Sequence, residues 1–241
     1  MPKFRGGAFL SFFQGFYTCK KINKMYNSEI KHHYRKFGFT LSEVLITLGI
    51  IGVVAALTLP VMVNNYKQKV LIVAWKKEFS TMAQVFQAVQ DGNNGSIKSV
   101  FNNRYELSKS VCEELKCTKI CQYSEQEGCW HKPGDWSSPN GFNTHSRNYA
   151  GFISIDGAIW VTNTIFSSNC SSYNSTDVYE NACFDFFVDV NGFKKPNVIG
   201  EDIFRLVVFD GRLLPYGAYP KDISSCKTWG DGCSAKYLYQ N

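Results

Sequence analysis

From Gly38 to Val63 the chain reads GFTLSEVLITLGIIGVVAALTLPVMV, an apolar run interrupted by one acid, Glu43, and followed by no further charge until Lys67. About 20 mostly apolar residues suffice to carry a helix across the hydrocarbon of a bilayer. The run therefore predicts a membrane-spanning helix. Beyond Pro60 the rhythm changes: Leu71, Trp75, Phe79, Met82, Phe86 and Val89 recur by threes and fours, with lysines and glutamines on the other positions. That period predicts that the helix continues to Gln90 and lays an apolar stripe on a globular domain. Asp91-Gly92-Asn93-Asn94-Gly95 should end it, because glycine and asparagine tolerate the left-handed conformation found past helix ends.

Further along, the period shortens to two. Gly151 to Ile155, an Asp156-Gly157 turn and Ala158 to Thr162 predict a β-hairpin. Phe184 to Val190 is apolar enough for a buried strand, Asn191-Gly192 marks a turn, and Ile203 to Phe209 followed by Asp210-Gly211 predicts another strand and turn. An antiparallel sheet is the expected result. Between Ile97 and Tyr149 no clear period emerges, so that stretch is read as irregular, rich in turns and exposed. The fold class is therefore α+β, a long N-terminal helix on a small antiparallel sheet.

Cysteine usage adds staples to this picture. Cys19 lies near the N-terminus, and eight others follow the apolar run: Cys112, Cys117, Cys121, Cys129, Cys170, Cys183, Cys226 and Cys233. An even set predicts disulfides in an oxidising compartment. Cys170–Cys183 and Cys226–Cys233 are the expected local pairs, since each closes a short polar loop. Zinc is the competing reading for Cys112 to Cys129, but the paired CxxC spacing of zinc sites is absent and only His131 is near.

Charge then locates the membrane sides. Residues Met1 to Gly38 hold eight of the 26 Lys and Arg and one acid, Glu29, which leaves 18 basic and 19 acidic residues beyond Gly38 and a net charge of −1 there. The overall charge of +6 is thus no sign of nucleic-acid binding. The patch Lys31-His32-His33-Tyr34-Arg35-Lys36 should stay cytoplasmic and send the remainder across. Residues 1–30 show no periodicity, and Met25 is an alternative start.

Glu43 needs its own account, because an ionised carboxylate within a bilayer is unfavourable by about 2.5–3.5 kcal/mol on insertion scales. Thr40-Leu41-Ser42-Glu43 fits a capping box, in which the acid satisfies a backbone donor at a helix start. A basic leader ending in Gly38, an aromatic Phe39, then Thr-Leu-x-Glu, a long apolar helix and Pro60 within it together resemble the prepilin signal of type IV pilins and type II secretion pseudopilins. The resemblance is specific over Lys31 to Val63. It implies cleavage after Gly38, methylation of the new amino terminus at Phe39, and an assembly role for Glu43. The leader of 38 residues is long for this class.

The resemblance also implies a domain plan and a set of partners. Residues 1–38 would be the leader, 39–92 the helix with 39–63 as its transmembrane and assembly half, and 93–241 a pilin-like extracytoplasmic domain. Partners would be other pilin-like subunits, a prepilin peptidase, an inner-membrane assembly platform, and lipid before assembly. The expected function is structural, that of a filament subunit. A minor pilin or adhesin that binds a surface or DNA at a filament tip and a membrane-anchored extracytoplasmic enzyme are the alternatives. The enzyme is disfavoured by the lack of GxSxG, HExxH, GxxxxGK[ST] and GxGxxG motifs, with only His131 and His145, both read as surface or loop residues, available beyond Gly38. No cofactor is expected. Some major pseudopilins bind calcium near the segment that Asp189 to Asp202 resembles, so Asp189, Asn191 and Asp202 are weak calcium candidates. The preferred reading of all three is as turn formers.

Overall fold

The computed structural model describes residues 38–141, 146–171 and 179–239. Helix α1 spans Leu41–Gly92 without interruption through Pro60, and two compact units divide within it, between Ile51 and Gly52. The expected stop is where the sequence places it: the Gly95 N–H donates to the Gln90 carbonyl at 2.8 Å, and Asn94 and Gly95 take positive φ.

Helix α2, Arg104–Leu115, occupies part of the stretch read as irregular. Its start is an N-cap: the Asn103 side chain accepts from the Glu106 N–H at 2.9 Å. Leu107 and Val111, one turn apart, supply its buried face. Lys116 ends it in a left-handed conformation, and the Cys112–Cys117 disulfide closes the turn beyond.

The remaining elements are β1 (Lys119–Cys121), the single turn α3 (Ser124–Glu127), β2 (Gly151–Ile153), β3 (Ile159–Phe166), β4 (Ala182–Asp189), β5 (Ile203–Phe209), β6 (Arg212–Pro215), the short turns α4 (Pro220–Ile223) and α5 (Ser225–Thr228), and α6 (Cys233–Tyr239). The six strands form one antiparallel meander in the order β1-β2-β3-β4-β5-β6. The predicted hairpin is β2–β3, its turn at Asp156-Gly157. The tail, expected as a disulfide-closed loop, is helical on both sides of its disulfide, in α5 and α6.

Both faces of the sheet are covered, which explains why every residue of β4 is buried. One face meets the second half of α1: Trp75, Met82, Phe86 and Val89 pack with Phe152, Trp160, Phe184, Phe186, Phe204 and Leu206. Trp75 is fully buried and stacks on Phe204 at 4.9 Å. Its indole N–H donates to the Ser234 carbonyl at 2.8 Å. The other face lies under Trp130 and Trp136, which pack with Ile159, Val161, Phe187 and Ile203.

A charge cluster stands on that second face. The Arg205 guanidinium binds Asp185 at 2.7 Å and Asp231 at 3.2 Å, with Phe187 and Tyr216 rings beside it. Asp185 in turn accepts the Ile165 N–H at 2.8 Å, where β3 slips register against β4. The Asp185 carboxylate is tolerated inside β4 because both of its oxygens accept hydrogen bonds.

Candidate functional site

The N-terminal segment is built from its cap outward. At Thr40 the backbone N–H donates to Glu43 Oε2 at 2.8 Å, the side-chain hydroxyl donates to the same oxygen at 2.9 Å, and the Glu43 N–H donates to Thr40 Oγ1 at 3.2 Å. This is a reciprocal capping box, which satisfies donors that the first helical turn leaves open. Only one carboxylate oxygen is consumed. Glu43 Oε1 has no hydrogen-bond partner among the described residues. Phe39, just outside the helix, is 87% exposed.

After the cap, the apolar side chains of the first half of α1 are exposed. An 18-residue window of the helix has mean hydropathy 2.5 and none of it is buried. Such a surface is incompatible with water over this length and is matched by lipid or by other helices. The anchor is a membrane helix, and the chain is a membrane-anchored protein.

The eight cysteines beyond Gly38 form four disulfides, Cys112–Cys117, Cys121–Cys129, Cys170–Cys183 and Cys226–Cys233. The two pairs expected from sequence are present, and Cys112 to Cys129 pair with each other instead of converging on a metal. Among the described residues no group of three or more His, Cys, Asp or Glu is placed to hold a metal ion.

His131 departs from its expected place. Read from sequence as a surface or loop residue, it is 3% exposed, with Nε2 at 2.8 Å from Asp189 Oδ2. Trp130 and Phe193 flank its ring. Burial pushes the imidazole down, outweighing the nearby charges of Asp202 and Asp135. Burial and then the charge of Asp202 push Asp189 up to about 9. Burial thus disfavours the charged form of both partners. His145 lies outside the described residues, as does the leader before Gly38.

The calcium candidates do come together, as organisers of backbone. Asp189 accepts the Asn191 N–H at 3.1 Å. Asp202 accepts the Asn197 and Val198 N–H groups at 2.8 and 2.7 Å, and the Asn191 side chain at 3.2 Å. These bonds hold the β4–β5 turn, in keeping with the turn-forming role preferred from sequence.

One cluster was not foreseen at all. Where α1 meets the β2–β3 turn, Lys77 contacts Asp156 and lies 3.6 Å from Glu78. Glu78, buried on α1, hydrogen-bonds Asp156. Burial, then Asp156, pushes Glu78 up to about 7 from 4.5. Partial burial pushes Asp156 upward too, but hydrogen bonds from Glu78, Lys77 and Ser154 hold it well below the ordinary carboxylate range. Glu78 thus carries the proton and Asp156 the charge.

Because the folded pKa of Glu78 exceeds its unfolded value, the stability it contributes is complete below about pH 4.5 and is lost as pH rises through about 7. The opposite shift of Asp156 acts only at more acidic pH. The unfolding free energy of the full chain in detergent should therefore fall between pH 5 and 8, by an amount on the order of 2 kcal/mol, and the melting temperature with it. Glu78→Gln, which keeps a donor and cannot ionise, should flatten that slope and raise stability at pH 8. Parallel slopes in circular dichroism melts of the two proteins would refute the assignment.

Comparison with known proteins bears on the first part of the chain. The prokaryotic N-terminal methylation motif matches residues 34–59. No curated protein and no solved structure matches the chain. Those residues bracket the segment from the basic patch, through Gly38, Phe39 and the Glu43 cap, to the residue before Pro60. The chain carries the N-terminal methylation signal of type IV pilins and pseudopilins, and its fold, a long apolar helix on an antiparallel sheet, is pilin-like.

Proposed function

We propose that the protein is a structural subunit of a type IV pilus-like or type II secretion pseudopilus filament. A prepilin peptidase cuts after Gly38 and the new terminus at Phe39 is methylated. Residues 39–63 then anchor the subunit in the inner membrane, with the amino terminus cytoplasmic and residues 93–241 extracytoplasmic. An assembly platform moves subunits from lipid into a bundle of α1 helices. The observation that carries this reading is Glu43, a single acid on a helix half that is otherwise apolar and unburied, with one carboxylate oxygen left open by its cap. A structural role also accords with the methylation signal better than catalysis does.

Processing is the direct test. In cells with an active prepilin peptidase, mass spectrometry of the isolated protein should find an N-methylated terminus at Phe39. A chain intact across residues 30–40 in those cells would overturn the proposal.

A further inference from the structure

A pocket of about 380 Å³ opens between the start of α2, the strand-end segment after β1 and the end of β3. Its rim carries Tyr105 and Tyr123, 38% and 49% exposed. Partly exposed tyrosines offer flat apolar faces with a polar tip, a combination that marks binding surfaces more than cores. Amides stand beside them. Gln122 is exposed, and Asn148 uses its carbonyl oxygen on the Glu125 and Gln126 N–H groups, which leaves its NH2 without a partner among the described residues.

Arg104 gives the pocket its charge. Its guanidinium lies over the Tyr149 ring at 4.6 Å and the Phe166 ring at 5.2 Å. Nε and Nη2 donate to the Asn163 and Thr164 carbonyls, each at 3.2 Å. Two rings and two carbonyls thus fix the group in place. No carboxylate pairs with it among the described residues, and the nearby Glu106 is occupied by Asn102 and Asn103. By contrast, Arg205, also over two aromatic rings, has two acids. Arg104 Nη1 has no hydrogen-bond partner among the described residues.

We propose that this pocket binds a sugar ring that bears a carboxylate. The C–H face of a pyranose stacks on a tyrosine, its hydroxyls meet the Gln122 and Asn148 amides, and the carboxylate pairs with the fixed guanidinium, an interaction for which Arg is suited. The net charge of −1 beyond Gly38 disfavours nucleic acid as the source of the anion. This binding activity is independent of filament assembly.

The test uses the full chain in detergent, with methyl β-D-glucuronide, methyl β-D-glucoside and acetate as probes in saturation-transfer NMR. The glucuronide should bind, the glucoside at least about tenfold more weakly, and acetate weakest of all. Tyr123→Ala, an exposed change that leaves the core intact, should weaken the glucuronide by about tenfold with an unaltered melting temperature. Arg104→Gln should erase the difference between glucuronide and glucoside. Binding of acetate as tight as that of the glucuronide, equal binding of the two glycosides by the native chain, or an undiminished signal from Tyr123→Ala would each overturn the proposal. So would absence of glucuronide binding, an outcome that leaves processing at Phe39 and filament assembly untouched.

Discussion

Glu43→Gln is expected to leave membrane insertion and cleavage intact and to lower incorporation into filaments by at least about tenfold, equivalent to 1.4 kcal/mol or more per subunit. In lipid the carboxylate is a burden, so its loss makes insertion no harder. In a helix bundle the same group would be stranded unless it met a cation. In the function proposed above, cleavage after Gly38 would create one, the amine of Phe39 on a neighbouring subunit. A close ion pair gains far more in such a bundle than in water, and leaving either charge alone there is strongly unfavourable. Register between subunits would follow from the pairing.

The capping box offers a sharp contrast. Gln serves in a capping box as Glu does, so a role confined to Thr40 predicts that Glu43→Gln assembles normally. The remaining open oxygen is where the two accounts part. Counting mutant subunits in sheared filaments against the membrane pool separates them, and normal incorporation would sink the pairing account.

Trp75→Ala should destabilise the globular part by about 3–5 kcal/mol, the usual range for removing a fully buried large aromatic. The indole is in contact with Phe79 and Phe204, and its N–H satisfies the Ser234 carbonyl of α6. Truncation opens a cavity between α1 and the sheet and removes that donor. Against a typical total of 5–15 kcal/mol this is a large share. Trp75→Phe keeps the stacking ring and loses the donor, so its cost should be smaller, about 1–2 kcal/mol. Denaturant midpoints of the full chain in detergent would measure both. A shift below about 1 kcal/mol for Trp75→Ala would contradict the packing described.

What sequence made legible were features whose causes are local. The stripe from Trp75 to Val89, the stop at Asn94-Gly95, the Asp156-Gly157 hairpin and two disulfides each depend on residues close in the chain. Glu43 stood out for the same reason, as one acid in an apolar run. Helix α2 stayed hidden because its buried face amounts to Leu107, Ser108 and Val111 among charged positions, although Asn103 and Glu106, at capping spacing, offered a signal. His131 and Asp189 are 58 positions apart, and Arg205 is 20 and 26 from its two acids. Their burial is created by the fold, so no window along the chain contains it. The same holds for Glu78, whose neighbour Asp156 arrives from the hairpin.

The six-stranded meander ends on two short edge strands, β1 and β6. An unpaired strand edge is a template for adding another chain, and subunits crowded in a membrane would be exposed to that hazard. Here the edges are β1, three residues long and carrying Lys119, and β6, four residues long, opening with Arg212 and closing with Pro215, which has no N–H to donate. Short, cationic edges make sheet-to-sheet aggregation between copies unfavourable. Self-association is thereby left to surfaces other than the hydrogen-bond ladder.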